Sequence, residues 1–247
     1  MIRDFLPGHY RFIPGPFQYS AGVAPLPGYA IERVRFRRPL PLTQGFAIAS
    51  ELMREAGAAV TAFCACELRS PAPFTEPGFR SFNERYVGVL SGWGIFDGLS
   101  NPVARSNVCP AIDPPTEPSL HAFCFTRPAE SSEPPSFVIA GSGEAPEGGS
   151  YREQCVRRGE TGPDALRDKA RFVLAEMERR LGAFGVHWPD TTAVQVYTVH
   201  DLYPFLADEI VKRGAAHAGL TWHYCRPPVV ELEYEMDCRA TARERVI

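Results

Sequence analysis

The amino-acid sequence predicts an α+β fold in which a unit of roughly 110–120 residues, an ordinary domain size, occurs twice. Of the 247 residues, 45% are hydrophobic and 22% charged, which is enough to build a core. A segment rich in Pro, Ser and Glu, residues 127–136, has the composition of a linker. The same order of predicted elements occurs on both sides of it: strand, helix, strand, helix, strand, strand. We therefore expect two domains, residues 31–130 and 131–247, each a mixed or antiparallel sheet with two helices on one face.

The first unit begins with an alternating strand over residues 31–37. Thr43 is a candidate N-cap for a helix that continues to Ala56, and Gly57 is suited to end it. The remaining predicted elements are a strand at 59–68, a helix at 78–90, and strands at 103–109 and 119–126.

The second unit begins with a short β-branched and aromatic run, residues 136–140. Its first helix starts at Pro163 and can end at Gly182. A strand at 191–199, a helix at 203–213, and strands at 220–225 and 229–237 follow. In the last of these, Glu231, Glu233, Glu235 and Asp237 alternate with apolar residues and should share one face.

Residues 1–30 form a Pro/Gly-rich arm, which we expect to pack on the body; a lid over a site is the alternative. The arm lacks the pattern of a signal peptide. The net charge of −3 gives no electrostatic reason to expect nucleic acid or a membrane as partner. Seven cysteines without a CxxC pair favour reduced thiols in a cytoplasmic protein with no metal site.

Four local motifs carry a resemblance to one family. Residues 82–86 (FNERY) are similar to the "vNxxY" helix of RidA/YjgF proteins, and residues 103–108 (VARSNV) to their "PARSxV" strand. Residues 229–233 (VVELE) resemble the closing "vxiEiE" strand, and Ser142-Gly143 resembles the "SGQ" turn. The matches occur in both halves, so the chain resembles a tandem of two RidA-like domains with the chorismate-mutase-like fold.

The resemblance implies hydrolytic deamination of enamines or imines without a metal or organic cofactor, in a homotrimer. The family arginine falls on Arg105, in the first half, and the family glutamate falls on Glu231, in the second. The first half has His121 where the glutamate is expected, and the second half has only His223 and Arg226 as nearby cations. Family sites lie between adjacent domains, so one site can draw on both halves.

Arg105 is suited to a substrate carboxylate because a guanidinium offers two parallel hydrogen bonds. The alternative is an ion pair at a domain interface. Glu231 would carry protons between water and the leaving amine, unless it belongs to a solvated acidic face. His121 is a second candidate acid–base residue, or else a hydrogen-bonded core histidine.

Five further residues are candidates for substrate binding. His223 and Arg226 lie among aromatic residues and could hold a flat conjugated acid, or could form a packed strand end. Arg69 closes a strand and could supply a second cation. Asn83 and Tyr86 are expected near the site, where they would pack the helix or touch the ligand.

The chain as a whole looks most like the deaminases of 2-aminomuconate and 2-amino-5-chloromuconate, enzymes of aromatic-compound degradation. Two alternatives stay open at this point. One is a non-catalytic protein that binds a small carboxylate, because a fold does not fix a function. The other is a chorismatase-like hydrolase on a similar tandem scaffold.

Overall fold

Two β-sheets stack face to face, and each carries its helices on the outer face. The computed structural model describes residues 1–247. Separate apolar cores lie between each sheet and its helices, and a third, smaller core lies between the sheets. This arrangement confirms the predicted α+β class. No helix combines the length and the apolar character needed to cross a membrane.

The first 128 residues contain seven strands and two α-helices. They are β1 (Arg3–Phe5), β2 (Tyr10–Ile13), β3 (Gly22–Pro25), β4 (Tyr29–Pro41), α1 (Leu42–Glu55), β5 (Phe63–Arg69), α2 (Glu76–Gly92), β6 (Ala104–Pro110) and β7 (Ser119–Pro128). The rest of the chain contains β8 (Phe137–Gly143), α3 (Tyr151–Gln154), α4 (Pro163–Ala183), β9 (Ala193–Tyr197), α5 (Tyr203–Phe205), β10 (Thr221–His223), β11 (Cys225–Arg226), β12 (Glu235–Ala240) and β13 (Arg243–Val246). A π-helical turn, Leu206–Val211, continues α5.

The central four strands of the two sheets have the same topology. In the first sheet β4 pairs antiparallel with β7, β7 antiparallel with β5, and β5 parallel with β6. In the second sheet β8, β12, β9 and β10 repeat that order and those directions. In each half one helix connects the first two of these strands in chain order: α1 connects β4 to β5, and α4 lies between β8 and β9. The repeated element order of the sequence therefore corresponds to a repeated topology.

The two halves exchange strands at their edges. The arm contributes β1, β2 and β3, and β3 pairs with β8 of the second sheet. In the opposite direction, β13 at the C-terminus pairs in parallel with β4 of the first sheet, and β11 pairs with β6. Each sheet is thus completed by strands from the other end of the chain.

The predicted strand over 229–237 is wrong in its position. Residues 229–234 form a turn and an irregular segment, and the strand β12 begins only at Glu235. Val229 and Leu232 are buried in the core of the first half, because their segment crosses to pair with Phe74. Two consecutive prolines, Pro227 and Pro228, precede this segment and cannot donate to a sheet ladder.

The predicted cap of α1 also differs. The residue before the helix is Pro41, and no side chain caps its first turn, so Thr43 lies inside the helix. In α2, by contrast, the hydroxyl of Thr75 accepts a hydrogen bond from the backbone N–H of Gly78 at 3.3 Å. Such a cap fixes the start of the helix that carries Asn83 and Tyr86.

Candidate active site

A cleft opens where β6 of the first sheet packs beside β8 of the second. We call it the Arg105 cleft. It encloses about 470 Å³ of space, including its open mouth. Both halves and the arm contribute to its walls, which include Tyr19, Phe79, Arg105, Asn107, Tyr151 and Glu235. The cleft is therefore shared between the two halves of a single chain.

Arg105 is buried in a cage of aromatic rings. Only 4% of the residue is exposed. Its guanidinium carbon lies 4.8 Å from the ring centre of Tyr86 and 5.6 Å from those of Phe79 and Tyr19. The cation–π attraction of these rings partly replaces the lost hydration of the charge.

The guanidinium makes a single hydrogen bond within the protein. Nη1 donates to Oδ1 of Asn83 at 2.8 Å, and no carboxylate lies within ion-pair distance. A buried cation without a counter-ion is costly, so this site has a strong electrostatic preference for an anionic ligand. The alternative of an ion pair at a domain interface does not occur for Arg105.

Glu235, at the start of β12, is one of two carboxylates that line this cleft; the other, Glu147, is paired with Arg180. Glu235 is 4% exposed and accepts no hydrogen bond from the protein. A Cβ atom placed on Gly141 would overlap Oε1 of Glu235, so a larger residue at position 141 would displace this carboxyl group. Ser142-Gly143 of the predicted turn follow directly and line the same cleft.

The surroundings of Glu235 favour its neutral form. Burial, and next the negative charge of Asp237, raise the pKa of Glu235 well above its ordinary value. The positive charge of Arg105 opposes this rise. The site therefore places a proton-carrying carboxyl group near a fixed cation.

Asp237 lies two residues along β12, on the same face as Glu235, and is held by three hydrogen bonds. Its Oδ2 accepts from the hydroxyls of Ser106 at 2.5 Å and Tyr197 at 2.9 Å, and its Oδ1 accepts from Nε2 of Gln195 at 2.8 Å. The bond to Ser106 connects β12 to β6 across the sheet interface. These contacts fix the position of β12 relative to the strand that carries Arg105.

A fully buried ion pair holds the segment that leads into β12. Nζ of Lys169 in α4 lies 3.0 Å from Oε1 of Glu144, and both side chains are 0% exposed. The same carboxylate accepts the backbone N–H groups of Glu233 at 2.7 Å and Tyr234 at 3.1 Å. Glu144 thus determines where the chain enters β12 and, through it, the place of Glu235.

Comparisons with known proteins identify the family of this chain. The model of the family "2-aminomuconate deaminase CnbZ" matches residues 2–245. The chain belongs to this family. The 2-amino-5-chloromuconate deaminase of Comamonas testosteroni is 49% identical over 246 residues, which cover 98% of each protein.

A solved chorismatase structure is similar in fold to this CnbZ family member. The TM-score is 0.52 at 14% sequence identity, over 90% of this chain and 77% of that one. At this identity the likeness concerns the fold alone. It agrees with the two-sheet architecture described above.

Three of the sequence-predicted residues meet at the cleft. Arg105 lines it, Asn83 accepts the guanidinium hydrogen bond, and the Tyr86 ring is the nearest aromatic neighbour of the charge. Asn83 and Tyr86 are both 1% exposed and contact Arg105 from α2. Both lie behind the arginine, beside the cleft, and a contact with the ligand stays a prediction.

Glu231 does not occupy the position that the sequence predicted. It lies in the turn before β12, outside the Arg105 cleft, because the closing strand starts four residues later. Its backbone carbonyl instead lies 3.2 Å from the thiol of Cys155. The place expected for Glu231 is taken by Glu235.

His121 and His223 also lie outside this cleft, and the charge of Arg69 acts on both of them. His121 is on β7, which β5 separates from β6, and Nε2 of His223 lies 2.9 Å from Oε1 of Gln195. Burial, followed by the charge of Arg69, lowers the pKa of His121 to about 3 and that of His223 to about 4. Both rings are therefore neutral near pH 7.

The two remaining predicted cations are engaged elsewhere. Arg69 packs over the Tyr197 ring at 5.6 Å and donates to its neighbouring carbonyl, that of Leu68. Arg226 is half-exposed and lies 3.4 Å from Glu233. Neither lines the Arg105 cleft.

The sequence interpretation missed Glu235, Asn107, Tyr19 and Tyr151 as cleft residues. For Glu235 a signal existed, because Glu235, Asp237 and Arg239 alternate with Met236 and Cys238 after the double proline. Tyr19 and Tyr151 lie in irregular or short elements, far apart in sequence, and no local pattern brings them together. Burial raises the pKa of Tyr151 to about 12, which keeps its hydroxyl a hydrogen-bond donor.

Proposed function

We propose that this protein is a hydrolytic deaminase that converts a carboxylated enamine or imine to the ketone and releases ammonia. The proposed substrate is 2-aminomuconate or 2-amino-5-chloromuconate. Membership of the 2-aminomuconate deaminase family and 49% identity to a 2-amino-5-chloromuconate deaminase support this choice.

One observation carries the proposal: the Arg105 cleft combines a buried cation that lacks a counter-ion with a buried carboxyl group whose pKa is raised. Arg105 would bind the carboxylate next to the amino-bearing carbon through its guanidinium. Glu235 would act as the acid and base. A non-catalytic carboxylate-binding protein would have no use for the second group.

The proposed reaction begins with Glu235 protonated. Glu235 gives its proton to the carbon adjacent to C2, and the enamine becomes a C2 iminium ion. The Glu235 carboxylate then takes a proton from water while the water oxygen bonds to C2, which produces a carbinolamine. None of these steps requires a metal or an organic cofactor.

Two further proton transfers release the product. Glu235 protonates the amino group of the carbinolamine, the C–N bond breaks, and the hydroxyl proton returns to Glu235 as the carbonyl forms. Ammonia leaves and the enzyme is regenerated in its starting state. Holding substrate and water beside one carboxyl group replaces a bimolecular encounter with a reaction inside a single complex.

The proposal includes a cytoplasmic location and a homotrimeric assembly. All seven cysteines are buried and unpaired, which supports a reducing compartment. The trimer follows from the resemblance to RidA/YjgF proteins and awaits measurement.

Ammonia release from freshly generated 2-aminomuconate by the purified protein tests the proposed function. We expect catalytic release, with chorismate left unchanged as a control substrate. Stoichiometric binding without ammonia would indicate a binding protein. Turnover of chorismate would indicate a chorismatase-like hydrolase.

A further inference from the structure

Asn107 has a hydrogen-bond donor that the protein leaves unused. It lies on β6 two residues after Arg105, is 3% exposed and lines the Arg105 cleft. Its Oδ1 accepts a hydrogen bond from the hydroxyl of Ser70 at 3.0 Å. Its buried Nδ2 has no partner.

An unsatisfied buried N–H group costs free energy, about 1–3 kcal/mol, so its presence beside a cleft calls for a ligand atom that accepts from it. Ser70 is itself 0% exposed, and because its hydroxyl donates to Oδ1, the Nδ2 end of the Asn107 amide is left as the free donor. The sequence therefore provides a neutral donor with a defined orientation on the same strand and the same face as Arg105.

The proposed substrate has two carboxylates, and Arg105 is the only cation that lines the cleft. Two acids, Glu147 and Glu235, line it as well. A second carboxylate therefore has to be bound by neutral donors.

Building on the proposed function, we propose that Nδ2 of Asn107 donates to the second carboxylate of the dicarboxylate substrate. Asn107 is then a specificity-determining residue, and Ser70 is a positioning residue that acts through it. The site selects dicarboxylates over substrates with a single carboxylate.

An amide donor suits a carboxylate better than the attacking water. The water must keep one lone pair free for the electrophilic carbon, and a donor directed at its oxygen competes for that electron density. A carboxylate oxygen offers several lone pairs and gains from every donor. The expected effect of Asn107 is therefore on substrate affinity.

Binding of two unreactive ligands tests this inference without turnover. Muconate carries two carboxylates, and hexa-2,4-dienoate carries one on a chain of the same length. Calorimetry on the full-length protein should show that Asn107→Leu weakens the binding of muconate roughly tenfold to a hundredfold, which is the effect of losing a hydrogen bond to a charged group. Its effect on hexadienoate should be less than about twofold, within the usual scatter for unrelated changes.

A matched pair of variants controls for burial. Asn101 is 2% exposed and its Nδ2 is also unpartnered, but it does not line the cleft. Asn101→Asp and Asn107→Asp both keep the Oδ1 acceptor. Only Asn107→Asp should weaken muconate more than hexadienoate.

Equal weakening of both ligands by Asn107→Leu, or no weakening of either, would overturn the proposal. If that variant does not fold, Ser70→Ala answers the same question, because it leaves Asn107 in place and frees its amide to rotate. A selective loss of muconate binding by Ser70→Ala supports the proposal and an unselective loss overturns it. Selective binding by a wild-type protein that releases no ammonia would instead refute the proposed function.

Discussion

Arg105 and Glu235 are buried ionisable residues that lack an ionic partner, and they have opposite preferences. The arginine stays charged and is stabilised by aromatic rings and one amide. The glutamate is neutralised by its surroundings instead. A substrate that brings a carboxylate to the first and a basic carbon or nitrogen to the second satisfies both.

Replacement of Arg105 tests its proposed role in binding the substrate carboxylate. Arg105→Ala should lower kcat/KM by about tenfold to a hundredfold, since charge-assisted hydrogen bonds contribute roughly 1.5–3 kcal/mol. Arg105→Lys should lower kcat/KM less, because lysine keeps the positive charge but lacks the planar guanidinium that makes two parallel hydrogen bonds. Steady-state kinetics with thermal melts as controls measures this. Wild-type turnover by a normally melting Arg105→Ala protein would make the residue structural.

Replacement of Glu235 tests the proton carrier. Glu235→Gln should lower kcat by about a hundredfold or more with little change in KM, the usual scale for a lost general acid–base group. Glu231→Gln is the matched control, as the same substitution four residues earlier. We expect it to retain wild-type kcat. The reverse result would restore the role that the sequence pattern suggested for Glu231.

The raised pKa of Glu235 also predicts how stability depends on pH. In the unfolded chain its pKa is ordinary, about 4.3, so above that pH the unfolded state releases a proton that the folded state keeps. The folded state therefore loses stability as the pH rises from this value to the raised pKa. Glu235→Gln removes this loss. Urea unfolding should show that the free energy of unfolding of Glu235→Gln, relative to that of wild type, increases with pH. A difference that stays constant with pH would contradict the raised pKa of Glu235.

At the scale of elements, segments with a strong hydrophobic periodicity were predicted well, whereas the start of the last strand was predicted poorly. The helix from Pro163 was expected to end at Gly182 and ends at Ala183. The start of the last strand was predicted too early because residues 229–233 (VVELE) alternate as cleanly as residues 235–239 (EMDCR). Only tertiary packing determines which of the two segments joins the sheet. Val229 is drawn to the first-half core by its pairing with Phe74, a contact 155 positions away that local pattern cannot report.

For the site, the same limit applies. Arg105, Asn83 and Tyr86 belong to motifs within one half and were predictable. Glu235 comes from the other half, and its approach to Arg105 depends on how β6 and β8 pack. Long-range packing of this kind has no local sequence signal.

The buried ion pair between Lys169 and Glu144 gives a prediction at the scale of elements. Lys169→Met leaves a buried carboxylate without its counter-ion and should reduce the free energy of unfolding by about 3–5 kcal/mol. Lys212→Met is the control, because Lys212 pairs with Asp208 on an exposed helical turn, where an ion pair contributes little to stability. Urea unfolding of both variants measures the difference. An equal loss of unfolding free energy in the two variants would show that the buried ion pair contributes no more to stability than the exposed one.

At the scale of the whole molecule, we predict a homotrimer. An apolar surface groove lined by Leu202, Tyr203, Leu206, Val211 and Trp222 lies beside β10, the edge strand of the second sheet. Tyr203 is 76% exposed and Trp222 40%. Sedimentation equilibrium should give three times the 27.3 kDa chain mass. A stable monomer at micromolar concentration would count decisively against it.

The exchange of edge strands has a consequence for synthesis on the ribosome. The arm emerges first, yet its sheet partner β8 is more than a hundred residues away. The first sheet receives β13 only after every other strand of both sheets has been synthesised. Neither sheet can therefore be completed early in translation, and a chain that lacks β13 would have an open edge in the first sheet.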